Sequence, residues 1–279
     1  MKKVRKSFSN ILRPSCWRVF FIFSALLFTS CTSIRNFLWP ENQFNSIQKQ
    51  ISVENNADYL DHLEAVAIDY LASKRVSEVK ISPRSVRFLE SAYKKIVMNN
   101  ELIFKKKLKL NFHFIKSKTP FYFSLPGGHV FFSVGLVKKY FKNEEILISA
   151  LTFELVKLHK NLFIKTQVVP TGYLRVEKML SLTRLPLQVK IEINKWVYFA
   201  MKRSGYDSSA LLNWIQIQNK NTLDFTVQWG RVGNISREEF SLKNFMIGQG
   251  IENGNTTTAG YNSSKEFYHL LKDIKRINI

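Results

Sequence analysis

The chain is 279 residues long and carries 42 Lys and Arg against 21 Asp and Glu, a formal net charge of +21. Two cysteines, Cys16 and Cys31, exclude zinc-ribbon and thiol-nucleophile chemistry. The positive balance favours anionic surfaces such as lipid headgroups, and the lack of a base-reading motif argues against nucleic acid. Abundant Lys, Asn, Ile and Phe make composition the simpler origin of the charge, with a weak membrane-surface tendency left over.

The first thirty residues hold Lys2, Lys3, Arg5, Lys6, Arg13 and Arg18 and no acid, followed by the apolar run Val19 to Phe28. That is the layout of a signal peptide, and the run is too short to span a membrane, which takes about 20 residues. The segment ends Leu27-Phe28-Thr29-Ser30-Cys31. Small residues before a cysteine resemble the lipobox of bacterial lipoproteins, with Phe28 where Leu is usual. The resemblance implies removal of leader 1–30 and acylation of the Cys31 thiol. Because Thr32 follows in place of Asp, it also implies an outer-membrane position facing the periplasm. An uncleaved amphipathic anchor, or a plain signal peptide cut near Ser30, is the alternative. Cleavage would take Cys16 and six cations with it, leaving 249 residues, a charge of +15 and no second thiol. A chain of that length builds a sizeable core without disulfides.

Residues 31–56 are polar and irregular and read as a tether to a single domain over 57–279. Leu60, Leu63, Ala67 and Leu71 recur at helical spacing, and a second helix is expected after Pro83 with Val86, Leu89, Tyr93, Ile96 and Val97 on one face. The alternation Leu108, Leu110, Phe112, Phe114 predicts a strand. Pro126-Gly127-Gly128 predicts a turn, and His129 to Val134 a further strand. Helical spacing returns at Ile146, Leu147, Ala150, Leu151, Leu155 and Leu158. Helices are expected at 186–203 and 207–219, with Gly205 as a stop, and a short one at 263–276. The stretch 221–262, rich in Gly, Asn and Thr, shows few periods and is expected to pack loosely around the domain.

The ordered set Phe121-Tyr122-Phe123-Ser124-Leu125-Pro126-Gly127-Gly128, then a strand, Gly135-Leu136, Asn143-Glu144-Glu145 and an apolar helix resembles the HtpX-like and BepA-like zinc metallopeptidases. The likeness reaches Ser204-Gly205-Tyr206-Asp207, where that family reads AGYDP, and covers about residues 85 to 220. It implies an α+β, gluzincin-like metallopeptidase fold with helices packed on a small mixed sheet. It also implies an edge strand at Gly128, His129, Val130 and Phe131 that holds an extended peptide by strand pairing.

The zinc motif of that family, H-E-x-x-H, places two imidazoles at i and i+4 on one helical face, with the Glu activating water. The matching positions here are Phe153-Glu154-Leu155-Val156-Lys157, so only the general-base position, Glu154, is kept. Phe153 offers no lone pair and Lys157 is a cation. Counting back from Gly205 puts the third family ligand at Glu192, with Asn194 in place of a supporting Asp. If the fold is kept, Lys157, Glu154 and Glu192 converge, and the ammonium neutralises what zinc otherwise would. The alternative for Lys157 is snorkelling to solvent. His159 lies about 200° round the helix from Lys157 and reads as a surface residue. His62, His113, His129 and His269 read as structural or solvent-facing. The family's Asn-Ala is Phe121-Tyr122 here, and its downstream His-Pro has no counterpart.

The resulting expectation is a lipid-anchored envelope protein with a metallopeptidase-like domain that has lost its metal and binds or scaffolds envelope proteins or peptides. No cofactor is expected. An active metallopeptidase with non-standard ligands, the one case with zinc, and a purely structural lipoprotein are the alternatives.

Overall fold

The computed structural model describes residues 57–164, 175–250 and 263–279. The leader, the tether and Cys31 lie outside the described residues, as does part of the stretch expected to pack loosely. The fold is α+β. Among the described residues it has ten helices and one four-stranded mixed sheet. None of these helices is long and apolar enough to cross a membrane.

The sheet comprises β1 (Glu78–Val79), β2 (Asn111–Ile115), β3 (Tyr122–Leu125) and β4 (His129–Ser133), in the order β1-β2-β4-β3. β2 runs parallel to β4, and the two outer pairings are antiparallel. The turn between β3 and β4 needs its glycines: Gly127 and Gly128 both have positive φ, and a Cβ on Gly128 would meet the Lys109 carbonyl at 2.1 Å.

Both faces of the β3–β4 pair are covered, which is why neither strand alternates apolar with polar. On one face Phe123 stacks on Phe131 at 4.6 Å, and Tyr70 of α1 (Ala57–Ala72) meets both rings edge-on. On the other face Tyr122 packs on Trp214 and Phe132 on Phe141. Each such fully buried ring contributes roughly 1.5–3 kcal/mol.

Helix α2 (Pro83–Met98) starts at Ser82, whose hydroxyl caps Ser85 N–H, with Pro83 at the first helical position. After β4 comes α3 (Val134–Tyr140), capped by Ser133, and then α4 (Glu144–His159). Asn143 Oδ1 accepts from Ile146 N–H at 3.0 Å, and Glu144 and Glu145 sit in the first turn, where the helix dipole favours acids. Every α4 residue from Ile146 to Leu158 is buried, so this is the central helix, apolar nearly all round. It packs against β3, against α6 (Leu187–Arg203) and against α7 (Ser209–Lys220).

The remaining helices are α5 (Val176–Thr183), α8 (Thr222–Trp229), α9 (Val232–Gly248) and α10 (Lys265–Lys275). Helices α8 and α9 correct the expectation of a loosely packed stretch. Phe225 and Trp229, then Ile235, Glu238, Leu242 and Met246, are buried at helical spacing. Gly230, with φ of 81°, makes the break between the two helices.

Candidate functional site

Helix geometry brings Glu154 and Lys157 of α4, three residues apart, to one face, and they form an ion pair whose side chains are only 2–3 % exposed. Ser124 Oγ donates to the same carboxylate oxygen, Glu154 Oε2, at 2.6 Å. That hydroxyl comes from β3, so the carboxylate is held between the sheet and its own helix. Phe163, 1 % exposed, closes the far side of the amine, with its ring centre 5.8 Å from Lys157 Nζ. Burial pulls the Lys157 amine below the ordinary lysine range, and the adjacent Glu154 opposes that pull. Lys157 therefore does not snorkel to solvent.

A second buried charged group lies beside the first. Lys190 of α6 sits 3.2 Å from the centre of the Trp229 ring, a close cation–π contact. Asn194, one turn further along α6, donates to Glu238 Oε1 of α9 at 2.7 Å. Among the described residues, Glu238 Oε2 and Gln228 Oε1 are buried with no hydrogen-bond partner. Burial lowers the Lys190 pKa, with Glu238 as the main opposing influence, and raises that of Glu238, with Lys190 and Asn194 opposing. Glu154, Lys157, Lys190 and Arg184 line a cleft of about 20 Å³, together with Phe153 and Gln228. That is space for roughly one water molecule.

Two expectations for this region are corrected. Glu192 does not join Glu154 and Lys157; it pairs with Lys195 on the outer side of α6 and stays partly exposed. Lys190 and Asn194 are i and i+4 and share the inward face, and Glu192 is two residues from each, on the far side of the helix. The expected edge strand at Gly128, His129, Val130 and Phe131 is an interior strand, since β4 pairs with β2 on one side and β3 on the other. The edge on this side is β3, and all four of its residues are buried. Gln228 Nε2 of α8 donates to the Tyr122 carbonyl at 2.9 Å, so a helix covers this edge where a peptide would pair.

Of the histidines, His159 sits differently from the surface position expected for it. His159 is half-buried against Phe104, with ring centres 4.8 Å apart, and near Tyr93 OH; burial pushes its pKa down to about 4, helped by Lys160. His113 Nε2 lies 2.9 Å from His129 Nδ1, and Glu78 holds the other ring nitrogen of His113 at 2.6 Å. This Glu-His-His row crosses β1, β2 and β4 and engages three of its four ring nitrogens.

Zinc does not fit the donor set at the motif position. Phe153 is apolar, Lys157 presents an ammonium, Glu154 is occupied by Lys157 and Ser124, and Glu192 faces elsewhere. Among the described residues no group of three or more His, Cys, Asp and Glu is placed to hold a metal ion. Lys190, Gln228, Trp229 and Glu238 belong to this region although no motif contained them, and Ser124 lies in the LPGG-type motif without having been read as a site residue. No protein-family model matches the chain, and no curated protein sequence matches it.

Proposed function

We propose that the chain is a lipid-anchored envelope protein, on the periplasmic face of the outer membrane, whose metallopeptidase-like domain binds or scaffolds other envelope proteins without cutting them. The observation that carries this reading is the buried Lys157–Glu154 ion pair. Glu154 is the residue that would activate water in the resembled peptidases. Here its carboxylate is held by an ammonium and a serine hydroxyl, in a cleft that admits no peptide. The covered β3 edge argues against strand pairing as the binding mode, so partners would be held by outer surfaces. Anchoring rests on the leader and Cys31.

The test is metal analysis and a peptidase assay on the purified intact chain, followed by cross-linking in intact cells. Stoichiometric zinc, with proteolysis lost on chelation, overturns the reading. Absence of proteolysis together with specifically cross-linked envelope proteins supports it. Absence of any cross-linked protein favours a purely structural lipoprotein.

A further inference from the structure

The C-terminal ends of α3 and α10 meet at a cleft of about 610 Å³ far in character from the buried ion pairs. Its charged lining is Lys138, Lys142, Lys272, Lys275 and Arg276, with no acid among the lining residues. Between these cations lie the buried Val137, Phe141 and Ile274, with Leu271 and the 53 % exposed ring of Tyr268 beside them. None of the ion pairs among the described residues uses any of the five cations.

The local acids are turned the other way. Asp273 of α10 accepts hydrogen bonds from Ser82 and Ser85 at the start of α2, and Glu266 pairs with Arg84 there. Lys139 of α3 pairs with Asp224. Each acid within reach is therefore used on another side of these helices, although Arg276 still feels the charge of Asp273. What remains is a cationic rim beside the exposed Tyr268 ring and the partly exposed Leu271. The larger groove, between α2 and the start of α10, has mixed charge, with Glu144 and Glu266 among its arginines and lysine.

We propose that the α3–α10 cleft is a docking site for an anionic phospholipid surface. Lysines near such a surface attract acidic headgroups and bury their stems in the interface, and the exposed Tyr268 ring, with Leu271 beside it, favours the headgroup level. An acidic peptide would be met by the cations alone and would leave the Tyr268 ring and Leu271 without an apolar partner. The site would hold the domain against the membrane by charge, in addition to any N-terminal anchor, and does not depend on acylation of Cys31.

The test is co-sedimentation of the intact chain with vesicles of phosphatidylcholine, alone or mixed with phosphatidylglycerol. Apolar insertion of the N-terminal region is open in both, so the difference between them reports the charge-driven part. Lys272→Gln with Lys275→Gln is expected to reduce the phosphatidylglycerol-dependent binding about thirtyfold. Lys202→Gln with Arg203→Gln, equally exposed cations at the end of α6, is expected to change it less than about threefold. Hydrogen exchange of the α10 amides is expected to slow on phosphatidylglycerol vesicles only. Equal loss from both variant pairs, or no preference for phosphatidylglycerol, overturns the proposal. So does saturable binding of an oligoglutamate peptide at this cleft without vesicle preference, which would assign it to a protein partner.

Discussion

Replacing Lys157 by methionine removes the buried ammonium while keeping most of the side-chain length. Glu154 would then retain a carboxylate in a site 3 % exposed, with the Ser124 hydroxyl as its remaining side-chain partner. Solvent does little to screen a charge at that depth, so the cost is that of breaking a buried pair, about 3–5 kcal/mol. For a domain of this size about 1 kcal/mol moves the melting temperature by roughly 2–4 °C, so a fall of about 6–20 °C is expected. The double variant Lys157→Met with Glu154→Leu removes both charges together. Ser124 Oγ also lies 3.5 Å from the Glu154 backbone carbonyl, which survives the change and leaves the hydroxyl a partner. Apolar replacement of a buried pair is often neutral or stabilising, so the double variant is expected within about 1 kcal/mol of the parent. Urea unfolding of the four proteins of this cycle gives the coupling energy directly. A single-variant loss below about 1 kcal/mol, or a double variant as unstable as the single, would refute the reasoning.

Glu192→Ala is expected to cost no more than about 0.5 kcal/mol in the same assay, because its bond to Lys195 is a partly exposed i,i+3 pair. A loss matching that of Lys157→Met would put Glu192 back in the site. Gly128→Ala should lower stability by at least about 1–3 kcal/mol by thermal unfolding, since φ is +79° and the new Cβ meets the Lys109 carbonyl. Burial pushes Glu145 up to about 7 from 4.5, so the native chain holds a proton that the unfolded chain has released. Its contribution is therefore lost as pH rises from 4.5 to about 7, and Glu145→Gln should flatten the stability profile in that window. For His159, with a pKa lowered from 6.5 to about 4, the sign is opposite: the unfolded chain binds the proton first. Stability falls as pH drops from 6.5 to about 4, and His159→Gln should flatten that limb of the urea-unfolding profile.

Local signals carried most of the helices and the β3–β4 turn. Asn143 with two following acids marks the start of α4, Pro83 that of α2, and Gly127-Gly128 the turn, because each answers to its own backbone. Helix α9 was obscured because its buried column runs Ile235, Glu238, Leu242, Met246, and a glutamate in that column reads as solvent-facing until Asn194 is known to hold it. Strand order is not a local property: residues 128–131 carry no sign that β2 pairs on one side and β3 on the other. The His113–His129 contact likewise depends on a parallel pairing between segments 16 residues apart.

The candidate site was half legible. Lys157 meeting Glu154 follows from helical spacing alone, and the structure places both in the interior. Glu192 was set by counting residues back from Gly205, and the count does not encode which face of α6 turns inward. The contacts of Lys190 with Trp229 and of Ser124 with Glu154 each join separate elements and are products of the tertiary fold. The cationic cleft was visible only as a net charge, since its exclusiveness depends on Asp273 and Glu266 being drawn towards α2.

The Lys157 ammonium occupies the Glu154 carboxylate in the protein interior. Nitrogen-15 NMR of the lysine ammonium groups, with and without zinc, tests this most directly. A slowly exchanging ammonium signal that disappears in Lys157→Met, shifts in Glu154→Gln and is unmoved by added zinc is the predicted result. A Lys157 signal exchanging as fast as a surface lysine, or one displaced when zinc binds stoichiometrically, would be incompatible with a buried Lys157–Glu154 pair.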